Sequence, residues 1–334
     1  MNNLRLNAEK VWPGTPRAKF ASMGIFRYTA LFFLVFATSL FLHDQYRYGD
    51  QTYYWSFYEL AKRANLAQVP HLQRVTTGSS EPAYGLLIWM ASRFLEKGVF
   101  ISVANGIFVC QILALFEKFR GSRFAFVLVA VGYYSLVCLF AAERLKFSLI
   151  FFMAFLTVPG LARYAFAALA PAAHYQVIIL YVAALAGKAV KRIRETIPTR
   201  RIRWRDIAVF AFAGAFLAYF LVENRSPIVD KISGYATLDH IETIKTIVLM
   251  GIMLITCRDK WSVVGSMVPI VVAAYVVGDE RVNMMGYLVF LYFFLVEGRT
   301  WNIAFLAANA YFVWKSVPFI TDVLEYGTGY PPGA

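Results

Sequence analysis

The chain has 334 residues, of which 59% are apolar, 17% aromatic and only 16% charged. That much apolar surface cannot be hidden inside a soluble domain of this size, so a water-soluble globular enzyme is excluded and a polytopic membrane protein is expected. The formal net charge of +13 falls mostly in a few short connections, where basic side chains set topology and meet anionic head groups; membrane lipids are therefore an expected partner and nucleic acid is not.

Residues 1–27 are polar and carry Arg5, Lys10, Arg17, Lys19 and Arg27 ahead of an almost wholly apolar run from Tyr28 to Leu42. The leader is long for a signal peptide and no small-x-small cleavage site follows, which predicts an uncleaved first span with a cytoplasmic N-terminus. Residues 43–98 follow as an outer loop. Its aromatics, Tyr46, Tyr48, Tyr53, Tyr54, Trp55, Phe57 and Tyr58, have the density of an interfacial belt. Within it, Pro82 to Leu95 reads as a short interfacial or re-entrant helix with Glu81 at its start, because counting it as a full crossing would put Lys118, Arg120 and Arg123 outside. Later spans are expected at 99–116, 124–142, 145–161, 163–173, 175–187, 207–222, 244–257, 261–277, 284–297 and 299–317. Of these, 163–173 and 175–187 are too short to cross straight and predict a broken or re-entrant pair. The reading is one all-α integral membrane domain over 1–334, with about 9–11 hydrophobic segments and a basic cytoplasmic loop at 188–206.

This topology sorts the charges into two populations. Lys118, Arg120, Arg123, Arg163, the run from Lys188 to Arg205, Arg258, Lys260 and Arg299 fall inside, as the positive-inside bias requires. A sparser, mixed set falls outside: Arg47-Tyr48-Gly49-Asp50, Glu81-Pro82-Ala83-Tyr84, Glu143-Arg144, His174, Arg225, His240 and Glu280-Arg281. The second set predicts a polar site on the outer face. There is no GxxxxGK[ST], GxGxxG, GxSxG, HExxH or DxD motif, so nucleotide hydrolysis, serine hydrolysis and zinc chemistry have no sequence support. Cys110, Cys138 and Cys257 lie in or beside apolar runs without ligand spacing, and no cofactor or metal is expected. What remains is chemistry by arginines, a histidine and carboxylates, and the planar guanidinium fork suits phosphate oxygens. Plainer roles stand beside each of these. Arg47 and Asp50 could pair with each other, Glu81 could be only a helix N-cap, Arg144 could snorkel to head groups, His174 could be a packing residue, and Arg281 could make a local ion pair.

Arg47-Tyr48-Gly49-Asp50 with Tyr53 and Tyr54, then Glu81-Pro82-Ala83-Tyr84, then Arg144 and His174, resembles in order and spacing the EpsG/Wzy-like polysaccharide polymerases, over roughly residues 40 to 185. The resemblance implies a GT-C-like helical membrane protein that joins polyprenyl-pyrophosphate-linked oligosaccharide units on the outer face of the bacterial inner membrane. It further implies lipid-linked glycans as substrates and other assembly proteins, a flippase and a chain-length regulator, as partners. Asp50, His174 and Arg144 are then the expected catalytic residues. Arg47, Tyr53, Tyr54, Glu81, Tyr84, Arg225, His240 and Arg281 are the expected substrate contacts. Two other classes compete. A secondary transporter or flippase would place its charges at the midplane rather than at one face. A membrane-bound acyltransferase would need a histidine reachable from a cytoplasmic donor, whereas His43, His71, His174 and His240 all fall outside on this topology.

Overall fold

The computed structural model describes residues 22–199, 240–277 and 280–329. Among these the chain forms fourteen α-helices and two 3-10 turns, with no strand. In chain order they are α1 (Ser22–Gln45), α2 (Asp50–Arg63), α3 (Val69–Thr77), α4 (Pro82–Ala91), α5 (Lys97–Lys118), α6 (Arg123–Ala130), α7 (Tyr133–Phe140), α8 (Glu143–Thr157), α9 (Ala162–Ala173), α10 (Ile178–Thr199), α11 (His240–Thr256), α12 (Lys260–Val277), α13 (Glu280–Val296) and α14 (Ile303–Tyr326). Three of them, α1, α5 and α14, are long and apolar enough to cross a membrane, and a fourth crossing results if α6 and α7, bent by 50° at their junction, count as one span. The protein is an all-helical membrane protein.

Several expected boundaries move. The stretch 124–142 is the broken α6–α7 pair, not a straight helix: Gly132 stands between the two, as N-cap of α7. The basic segment expected as a loop from 188 is helical as far as Thr199, because α10 carries its amphipathic repeat straight on; 200–206 and the span at 207–222 lie outside the described residues. The last helix begins at Ile303, where the Asn302 side chain accepts from the Ala304 N–H, and it continues well past 317. The segment 43–98, expected as an outer loop, is largely helical. It folds into α2, α3 and α4, and its aromatics are largely internal: Tyr46, Tyr54, Phe57 and Tyr58 are buried, while Tyr48 and Tyr53 stay exposed. The ten residues of α4 rise only about 15 Å, half a hydrocarbon core, as expected of an interfacial or re-entrant helix.

Local chemistry explains how the Arg47 to Asp50 motif is fixed. The Gly327 carbonyl just beyond α14 accepts from the Arg47 N–H at 2.9 Å and the Tyr48 N–H at 2.8 Å. Gly49 then turns the chain with φ 66°, a left-handed conformation that a side chain would strain. Asp50 therefore opens α2, where its negative charge suits the positive end of the helix dipole.

Helices pack by small residues as membrane helices do. Between α10 and α12 a Cβ on Gly265 would lie 2.9 Å from the Ala186 carbonyl and 3.0 Å from the Gly187 Cα; both are backbone atoms that cannot swing aside. Gly265→Ala should therefore lower stability by about 1–3 kcal/mol, read as a lower Tm in detergent. Gly251→Ala, where the added methyl meets nothing within 4 Å, is the matched control and should be neutral or slightly stabilising. Equal Tm values for the two variants would contradict the crossing.

Candidate functional site

Glu81 precedes Pro82 at the N-cap position of α4, yet its side chain makes no capping hydrogen bond. It turns inward instead and is fully buried. There it meets four donors: Arg144 Nη1 at 3.1 Å, His174 Nδ1 at 3.0 Å, Gln73 Nε2 at 3.0 Å and Ser79 Oγ at 2.5 Å. Arg144 Nη1 also reaches Ser79 Oγ. Two plainer roles are thereby corrected. Glu81 holds the N-cap position without capping through its side chain, so it is not only a cap, and Arg144 does not snorkel, because its guanidinium is turned into the protein and held by a carboxylate.

Burial alone would raise the Glu81 carboxyl, but the hydrogen bond from His174 and the charge of Arg144 outweigh it and hold the group at about 2. Burial also pushes the His174 imidazole below its ordinary value, against the opposing pull of Glu81, so it is neutral near pH 7. With its proton on Nδ1 it donates to Glu81; Nε2 lies 3.0 Å from Gln176 Oε1, itself an acceptor, so the Nε2 lone pair is open to a proton only when the Gln176 side chain turns aside.

In front of this tie lies a crevice lined by Tyr54, Ala142, Arg144, Leu145, His174 and Arg281. Four of these were expected site residues, and they arrive from α2, α8, the end of α9 and α13. Burial pushes the Tyr54 phenol above its ordinary 10.0, so it stays protonated. The Arg144 Nε is buried without a hydrogen-bond partner, a donor left over on the residue that lines the crevice. The outer edge is the Arg281–Asp50 pair, Nη2 to Oδ2 2.5 Å, with side chains 27% and 41% exposed. Asp50 thus pairs across 231 positions with α13 and not with Arg47, correcting the local pairing weighed from their spacing. Glu280, next to Arg281, is held separately by Lys315 at 2.5 Å and by the Tyr133 hydroxyl at 2.9 Å.

The remaining expected residues lie elsewhere. The Arg47 Nε donates to the Asp44 carbonyl at 2.9 Å, and its side chain lines a different cleft. Tyr53 is exposed on α2 and lines neither cavity. Tyr84 is fully buried because its ring packs against Tyr54, Phe57 and Phe147 while its hydroxyl donates to Glu143 Oε2 at 3.2 Å; it supports the site from behind and is no surface contact. Arg225 and the side chain of His240 lie outside the described residues. Among the described residues no three His, Cys, Asp or Glu side chains gather as metal ligands.

A second buried ionic layer escaped the sequence. Lys97 pairs with Glu143 at 2.9 Å and donates to Gln51 Oε1 at 2.6 Å. Lys146 donates to Asn105 Oδ1 at 2.6 Å and to the Leu139 carbonyl at 3.0 Å. Lys97 had one legible signal, a cation beside an apolar span on the side opposed to the basic bias. Gln73 and Ser79 had none. Comparison with protein-family models, with curated proteins and with solved structures finds no match for this chain.

The Glu81 tie yields a stability test. Glu81→Gln keeps the shape but leaves Arg144 without its countercharge in a buried place, which should cost about 3–5 kcal/mol. The carboxyl is depressed from its ordinary 4.5 to about 2, so its contribution is present above pH 4.5 and lost as pH falls toward 2, on the order of 3 kcal/mol in all. Wild-type protein should therefore lose stability faster than Glu81→Gln over that window in detergent melts. Parallel pH profiles would show that the carboxylate is not held as described.

Proposed function

We propose that the protein transfers glycosyl units from a polyprenyl-pyrophosphate-linked donor, and that it elongates a polysaccharide in this way. The observation that carries this reading is the convergence of Arg144, Arg281, His174 and Tyr54, from four separate helices, on one crevice. A pyrophosphate leaving group accumulates negative charge as its bond to the sugar breaks. Fixed guanidinium groups stabilise that charge without reorganising, by a factor on the order of 100 to 1,000 for each well-placed donor. The unpartnered Nε of Arg144 is such a donor, and a pyrophosphate oxygen is the acceptor that it lacks.

In the proposed step the acceptor hydroxyl attacks the anomeric carbon of the donor, the bond from that carbon to the pyrophosphate oxygen breaks with its electron pair on oxygen, and the hydroxyl proton passes to His174 Nε2. Glu81 orients the imidazole through Nδ1 and positions Arg144, so it acts through them and does not touch substrate. Asp50, engaged with Arg281, steers that arginine, and His174 takes the role of base. The outward placement of the crevice, the cytoplasmic N-terminus and the bacterial inner membrane belong to the same proposal. Its supports are the segregation of basic residues in the sequence and the apolar length of α1, α5 and α14. Supply of a lipid-linked donor to an outer face fits a flippase and a chain-length regulator as partners.

Arg144→Lys keeps the charge and loses the planar fork. It should cut polymer synthesis to a few per cent or less and weaken binding of a polyprenyl-pyrophosphate analogue. His174→Ala should lower the rate by about 100- to 10,000-fold while leaving analogue binding largely intact. The readouts are the glycan ladder from cells carrying each variant and analogue binding to the purified proteins. Long chains from the Arg144→Lys variant would overturn the pyrophosphate role, and long chains from His174→Ala would remove the base.

A further inference from the structure

Helix α2 has a second functional-looking side. Tyr54 faces the crevice, whereas Thr52, Trp55 and Ser56 line an open cleft of about 500 Å³ whose other walls are His43 and Asp44, from the last turn of α1, and Arg47. This is the size of a small-molecule site. His43 is 1% exposed, and neither of its ring nitrogens has a hydrogen-bond partner, an unfavourable state for a buried polar group. The imidazole is held in place by stacking on Trp55 at 5.6 Å and 24°. Arg47 uses its Nε on the Asp44 carbonyl and keeps its terminal NH2 groups for the cleft.

We propose that this cleft binds a saccharide, the sugar end of the acceptor; the acceptor assignment rests on the glycosyl-transfer reading above. The chemistry favours a sugar over an anion. The lining holds one arginine and one aspartate, three residues apart in the chain, so the site is balanced in charge, and the Asp44 carboxylate would repel a phosphate. Asp44, Arg47 and the Thr52 and Ser56 hydroxyls supply acceptors and donors for vicinal sugar hydroxyls, the Trp55 indole is an apolar wall for ring C–H groups, and His43 holds that indole by stacking on it. Helix α2 lines both cavities, the crevice through Tyr54 and the cleft through Thr52, Trp55 and Ser56, which suits two substrates that must meet along that helix.

The test uses the full-length protein in detergent against an array of bacterial surface oligosaccharides, with saturation-transfer NMR on the strongest binder, and a sugar-free polyprenyl-pyrophosphate analogue as a second probe. Trp55→Ala and His43→Leu should each weaken oligosaccharide binding at least tenfold and leave analogue binding unchanged. Trp55→Phe, which keeps an aromatic wall, should retain most of it, and Arg144→Lys should do the reverse of Trp55→Ala. No bound oligosaccharide, equal affinity in the Trp55→Ala and His43→Leu variants, or competition by glycerophosphoglycerol alone would overturn the proposal, the last making the cleft a head-group site. Oligosaccharide bound at the cleft with no analogue bound by the wild type would overturn the pyrophosphate reading and leave the saccharide site standing.

Discussion

One buried carboxylate organises the region where the chemistry is placed. Glu81 is charged, out of contact with water, and hydrogen-bonded by Arg144, His174, Gln73 and Ser79. A charge in such a place is stable only when its partners are in position, since desolvating an ion costs several kcal/mol that a poorly arranged pair does not recover. The demand therefore acts in reverse on the fold. The start of α4 must sit against the start of α8 and the end of α9, with α3 closing one side, or the ion is stranded. The short helices α3 and α4, of nine and ten residues, are located by this tie as well as by packing.

Glu143 and Arg144 show how two adjacent residues serve different networks. At the first turn of α8 the glutamate turns to Lys97 and the Tyr84 hydroxyl and the arginine turns to Glu81. Two ion pairs of opposite polarity then run side by side across α4, α5 and α8, joined through the aromatic stack of Tyr54, Tyr84 and Phe147. In a low-dielectric surrounding such paired charges hold their geometry stiffly, because any displacement loses strong local attraction. Stiffness is what a site needs if its arginines are to meet developing charge without reorganising. The buried charges thus tune rigidity at the cost of desolvation, and a bundle built only of leucine would offer no such fixed field.

The class and most helices were legible from apolar length and charge segregation, since these are properties of single segments. The broken α6–α7 pair and the helical course of α2 were not, because no local residue pattern distinguishes an aromatic belt from an aromatic core; Phe57 and Tyr58 look the same on paper in either setting. At the site, Arg144, His174, Tyr54 and Arg281 were each visible as a polar residue on the outer side of an apolar chain. Their convergence was not, nor was the partner of any of them. Asp50 illustrates the reason: Arg47 is three positions away and Arg281 lies 231 away, and only the fold decides between them. Gln73 and Ser79 are unremarkable in sequence and become necessary once Glu81 is inside.

The crevice as it stands is a closed constellation, with its walls too near to admit a pyrophosphate. Five of its six lining residues, Tyr54, Ala142, Arg144, Leu145 and His174, are buried. Arg281 is the exception. Its pair with Asp50 is about one-third exposed, and an ion pair so placed contributes about 1 kcal/mol or less, less than the tie at Glu81. A diphosphate arriving at this edge competes with Asp50 for Arg281 on favourable terms, since it brings more charge and fits the guanidinium fork. Under the proposed reaction, opening would fall to this partly exposed pair while the arginine and histidine beneath stay fixed. In the same reaction that division, one partly exposed cation over a buried floor, would let substrate enter without loosening the groups that must be in place when the bond breaks.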